Sequence, residues 1–146
     1  MRRTLLLCFI HGFKGGDETF RTFPSHVKAL LQHALPKVTV LAITYPQFET
    51  RGDLHECVGR FKEWLQNKVI DLEVANSTPS PTVDPSVRTI LVGHSMGGIV
   101  AAETLLYPCR PSHPLAVEFA DGRRIHGLAI RPLDAHVSVH TGHSGL

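Results

Sequence analysis

Two kinds of apolar pattern alternate along the chain. Short continuous runs occur at residues 4–10, 38–43 and 88–92. A run with no polar face marks a strand buried on both sides of a parallel sheet. Between these runs, apolar residues recur three and four positions apart. In 24–35 they are Val27, Leu30, Leu31 and Ala34, with Pro24 suited to a first helical turn and Pro36 ending the helix. From Asp53 onward, Leu54, Cys57, Phe61, Trp64, Leu65 and Val69 form one stripe, and Glu56 stands at capping-box spacing from Asp53. A third helix is expected over 99–106, and a fourth strand over 125–130 with Gly127 inside it. After Arg131 there is only a short alternation at Val137 and Val139. The expectation is one domain over 1–130 and an irregular C-terminal tail over 131–146. Strand, helix, strand, helix, strand, helix, strand is the order of an α/β fold: three layers, a parallel sheet with helices on both faces.

Composition narrows the class. A chain of 146 residues with 42% hydrophobic and 19% charged residues has room for one globular domain. The net charge of +2 is too small to imply a nucleic-acid partner, and there is no basic stripe with interleaved aromatics, so none is expected. Cys8, Cys57 and Cys109 are too far apart for a zinc motif and odd in number, so a reducing compartment is expected. Arg2-Arg3 before Leu5-Leu6-Leu7 imitates a signal peptide, but the apolar run is short and no small-residue cleavage site follows. No stretch approaches the ~18–20 apolar residues of a membrane span. A cytoplasmic or intracellular membrane-associated protein is therefore expected. Asn76-Ser77-Thr78 matches the glycosylation sequon and reads as a polar loop.

The chemistry centres on Gly93-His94-Ser95-Met96-Gly97-Gly98. A strand, a tight glycine-flanked serine and a helix are the setting of a nucleophile elbow. The serine must sit in a strained turn that lifts its hydroxyl above the strand end, with neighbours too small to clash. The helix starts just after it, so the Met96 N–H faces the same space with the positive end of the helix dipole. His11-Gly12-Phe13-Lys14-Gly15-Gly16 forms a second glycine-rich loop, after the first strand. It lacks the spacing of a phosphate loop. No cysteine has an elbow-like context, which disfavours a cysteine nucleophile. His94 reads as a supporting residue, His11 as a brace for its loop, and His26, His33 and His55 as helix-surface or packing residues. Phe13, Phe20, Phe23, Tyr45 and Phe48 fall near strand ends, where a substrate would meet them, and hint at an apolar acyl group.

On these two motifs the chain resembles the central part of an α/β-hydrolase, over roughly residues 4–107. Within that superfamily it resembles a serine esterase and lipase-like group that approaches GPI inositol-deacylase-like proteins. The resemblance implies a partial α/β-hydrolase fold of about four strands, ordered second, first, third, fourth across the sheet. It implies that Ser95 attacks a carboxylic ester, that the backbone N–H groups of Phe13 and Met96 form the oxyanion hole, and that an acyl-enzyme is hydrolysed by water. It implies no metal and no cofactor. The partner would be a small-molecule or lipid ester, with peripheral contact to a membrane or lipid surface where the ester is a lipid. In the family the acid and the histidine follow the serine on loops after later strands. Here only residues 96–146 follow Ser95; Asp134 stands just past the expected fourth strand with His136, His140 and His143 after it in the right order, and Asp134 and His140 are the candidate acid and base. That shortfall raises the expectation of a truncated or mis-spliced chain, marginally stable because its sheet edges are exposed. It also keeps open a second class of function: a catalytically incomplete fragment or non-enzymatic binding module.

Overall fold

The computed structural model describes residues 2–106 and the backbone of three short strands at 116–118, 124–126 and 138–140. Strand β1 is Thr4–Ile10, followed by a 3-10 turn at Asp17–Phe20 and helix α1 at Phe23–Ala34. Strand β2 is Thr39–Thr44, helix α2 Leu54–Ala75, strand β3 Val87–His94 and helix α3 Met96–Leu106. The remaining strands are β4 (Ala116–Glu118), β5 (Arg124–His126) and β6 (Ser138–His140).

The main sheet is parallel and runs β2-β1-β3-β6. Its first three places follow the expected order, and the fourth is taken by a different segment. Arg124–His126 pairs antiparallel with Ala116–Glu118 in a separate two-stranded sheet, and 127–130 lie outside the described residues. Ser138–His140, inside the segment expected to be irregular, is the strand beside β3. A three-residue strand carries too few positions to show a period, so its place follows from pairing and not from pattern.

The β1 side chains divide between two cores. Leu6, Cys8 and Ile10 join Val87 and Leu91 of β3 in one cluster, closed by Val58, Phe61, Leu65 and Val69 of α2 and by Val100 and Ala101 of α3. Leu7 and Phe9 join Val40 of β2 on the opposite face, where Val27 and Leu31 of α1 pack. This alternation is the two-residue period of a strand covered on both faces. It makes three layers, with α1 on one side and α2 and α3 on the other.

The connections hold the elements at fixed heights. The Gln32 side chain donates to Val38 O at 2.8 Å and accepts from Val40 N at 2.9 Å, stapling the end of α1 to the start of β2. Asp53 caps α2 by accepting from His55 N at 3.1 Å. Glu56, expected to complete a capping box, instead faces Arg60 one turn on, at 3.8 Å. No helix among the described residues is long and apolar enough to cross a membrane.

At the N-terminal ends of the strands lies a buried polar knot. Glu73, only 6% exposed, accepts from Val87 N at 2.9 Å, Ser86 N at 3.0 Å, and the Ser86 and Thr78 hydroxyls at 2.5 Å each. Asn76 donates both amide hydrogens, to Thr4 Oγ1 at 3.0 Å and Ser86 Oγ at 2.9 Å. The sequon asparagine is thus not in an open polar loop; its side chain ties the end of α2 to β1.

Candidate active site

Opposite that knot, β1 and β3 end together. Their register pairs Phe9 with Val92 and Ile10 with Gly93, so the loops leaving both strands start at one level. The carboxyl ends of parallel strands are where open α/β sheets hold their ligands.

Ser95 sits between β3 and α3 with φ at 55°, in the left-handed region that a residue with a Cβ adopts only at a cost. The turn is closed by Gly98 N donating to Ser95 O at 2.9 Å. The side chain is exposed, while both flanking glycines are buried. Their size is a requirement. A Cβ on Gly97 would run into the carbonyl oxygen of Ile10 and come within 2.6 Å of His11 O. One on Gly93 would collide with the backbone of Gly97 and Gly98. The elbow therefore packs backbone to backbone against the end of β1, which fixes Ser95 relative to the neighbouring loop.

That loop is 11–16. A Cβ on Gly12 would lie 2.6 Å from Ser95 Cβ and 3.1 Å from Ser95 Oγ, so the Gly12 backbone rests directly on the serine. Phe13 follows, 53% exposed, with the Lys14 ammonium 5.5 Å above its ring. Among the described residues, the backbone hydrogen bonds of turns and loops include none donated by Phe13 or Met96. Met96 is the first residue of α3, where an N–H has no partner within the helix. Ser95, Phe13 and Met96, singled out separately in the sequence, are thus brought to one end of the sheet.

Asp134 lies outside the described residues. For His140 the backbone alone is described: β6 sets it in register with His94, the residue before Ser95. Adjacent strands lie about 4.8 Å apart.

The aromatic residues near the strand ends separate into two groups. Phe20 and Phe23 stand edge-on against Phe9, at 5.2 and 6.0 Å between ring centroids. Tyr45 is buried against Phe48, Phe61 and Trp64. Phe20, Tyr45 and Phe48 serve the cores, because the sheet faces below the strand ends must be covered, while Phe23 stays 52% exposed. Phe13 is the residue after the glycine that rests on Ser95. Burial pushes the Cys8 thiol well above the ordinary range of a cysteine, which keeps it protonated and inert. Burial likewise raises Tyr45, with the neighbouring Cys57 adding to it.

His11 is the residue whose surroundings the sequence conveyed least. It is fully buried, stacked on Phe48 at 4.7 Å, and its Nδ1 lies 3.0 Å from Gly12 O. Phe48 comes from the loop after β2, far from His11 in the sequence, so no local pattern announces the contact.

No curated protein and no solved structure matches the chain. A model of the alpha/beta hydrolase family matches residues 9–142, from the end of β1 past β6. The match runs through both loops that meet at Ser95, and the sheet order agrees with it: this chain belongs to the α/β hydrolase family.

Proposed function

We propose that the protein is a serine hydrolase of the esterase or lipase type, close to the group that approaches GPI inositol-deacylase-like proteins. Ser95 Oγ attacks the carbonyl carbon of a carboxylic ester. The alcohol leaves, an acyl-enzyme remains on Ser95, and water releases the acid. The N–H groups of Phe13 and Met96 stabilise the negative charge that develops on the carbonyl oxygen. Such fixed donors act where charge forms only in the transition state, and losing one costs about 3–4 kcal/mol in well-studied cases. The observation that carries the reading is the contact of Gly12 with a strained, exposed Ser95. In support, that contact brings the loop carrying Phe13 against the turn that leads into Met96.

A serine hydroxyl needs a base to take its proton. His140 is the proposed base and Asp134 the acid that orients it. In support, His140 is in register with the residue preceding Ser95. The substrate is a small or lipid ester; Phe13, exposed beside the serine, offers an apolar surface to its acyl chain.

The test is labelling with a fluorophosphonate probe and turnover of p-nitrophenyl butyrate, on the whole chain and on Ser95→Ala. Labelling and turnover that vanish in Ser95→Ala support the hydrolase. With His140 as base, His140→Gln lowers turnover at least ~10³-fold. Folded protein that neither labels nor turns over the ester defeats the reading and leaves a catalytically incomplete binding module.

A further inference from the structure

We infer that His11 is a positioning residue, which aims the Phe13 N–H at the reacting carbonyl by holding the other end of the same peptide group. The inference rests on the hydrolase reading and adds to it one residue, one tautomer and one kinetic signature.

In a trans peptide the C=O of one residue and the N–H of the next lie in one plane and point in opposite directions. The carbonyl of Gly12 and the N–H of Phe13 are such a pair. Whatever grips Gly12 O therefore sets the direction of Phe13 N–H. Two groups grip it: His11 Nδ1 at 3.0 Å and Gly15 N at 3.0 Å. The loop's other bonds lie beyond this peptide: Gly16 N donates to Thr19 Oγ1 at 3.1 Å and Thr19 N donates to Gly16 O at 3.0 Å. Lys14 adopts φ of 52°, and its N–H reaches Thr50 Oγ1 at 3.4 Å. The histidine itself is confined: it is fully buried, the Phe48 ring is tilted against the imidazole at 4.7 Å, and Gly15 approaches its Cβ so closely that an added Cβ would stand 3.1 Å away.

The hydrogen bond also decides the tautomer. A carbonyl oxygen only accepts, so Nδ1 carries the proton. In the neutral ring Nε2 is then a bare acceptor. Among the described residues Nε2 is the one buried side-chain nitrogen or oxygen without a partner. Leaving a buried acceptor unpaired is unfavourable, and the protein tolerates it at this atom. A histidine kept for packing alone would gain from a phenylalanine or leucine in its place. The proton on Nδ1 is the feature that such a replacement would lose.

Two variants of similar size separate the roles. His11→Leu fills the space without a donor. His11→Asn sets an amide N–H close to the position of Nδ1. Turnover of p-nitrophenyl butyrate is measured with thermal unfolding as the control for folding. His11→Leu is expected to lower kcat about 10- to 100-fold with KM within about twofold, since the bond it loosens acts on the transition state. His11→Asn is expected to restore kcat to within about threefold of the original chain. A folded His11→Leu that keeps its kcat overturns the inference, as does a folded His11→Asn as slow as His11→Leu. Nitrogen NMR of the imidazole in the unaltered chain reads the tautomer without any turnover; a proton on Nε2 and none on Nδ1 overturns the inference by itself. The two readings fail separately. No Ser95-dependent turnover with the proton on Nδ1 defeats the functional proposal, and turnover with the proton on Nε2 defeats this one.

Discussion

The two ends of the same sheet are built on opposite terms. At the N-terminal end, every polar side chain in the knot of Glu73, Asn76, Thr78, Ser86 and Thr4 has a partner, and the backbone donors of Ser86 and Val87, where β3 begins, are satisfied by a carboxylate. At the C-terminal end, a serine sits in the left-handed region, a buried histidine nitrogen has no partner among the described residues, and glycines are compressed against bare backbone. One end is arranged to stay shut and the other to hold a reactive geometry. Strain and unpaired atoms persist only where the surrounding structure over-determines them, and the rigid strands between the two ends supply that support.

The comparison breaks first at Glu73. Glu73→Ala leaves the buried N–H groups of Ser86 and Val87 without acceptors, at ~1–3 kcal/mol each. A loss of about 4 kcal/mol in urea unfolding is expected; a loss below about 1 kcal/mol would show that the knot is not what holds this end. Gly97→Ala comes next. Its methyl group meets backbone oxygen of β1, which cannot rotate away, so a cost of about 3 kcal/mol is expected together with loss of fluorophosphonate labelling. A variant of unchanged stability would mean that the elbow and β1 are not in backbone contact. The smallest effect has the opposite sign. Ser95→Gly removes the penalty of a Cβ at φ of 55°, and should raise stability by about 1 kcal/mol while abolishing turnover. Equal or lower stability in that variant would place the strain elsewhere.

The alternation of apolar runs and helical stripes was enough to predict α1, α2 and β1–β3 to within a residue or two at most ends. Strong periodicity over many residues leaves few alternatives. Of the six residues in the α2 stripe, Cys57, Phe61, Leu65 and Val69 are buried, and Leu54 and Trp64 are half-buried against the same core. Its weaker points were polar. The same helix buries Glu73, which no period marks, because the carboxylate is explained only by donors from Ser86, Val87 and Thr78. The fourth place in the sheet was misassigned to 125–130 for a related reason. A short strand's position depends on its partner, and the alternation at Val137 and Val139 is too brief to mark one.

By itself the sequence determined the class of fold and the two glycine-rich loops of the candidate site. Both depend on local properties: burial on two faces, helical spacing, and glycines flanking a serine between a strand and a helix. The tertiary structure decided how those loops meet. Strands β1 and β3 are neighbours in register, so Gly12 comes to rest on Ser95 and Gly97 on the end of β1. It also decided the surroundings of His11. Its partners are a ring from beyond β2 and a carbonyl one residue away, and only the closed fold removes water from between them. The strand–serine–helix turn was legible because its strain is local. What buries the histidine beside that turn was not, because the Phe48 ring that covers it arrives from beyond β2.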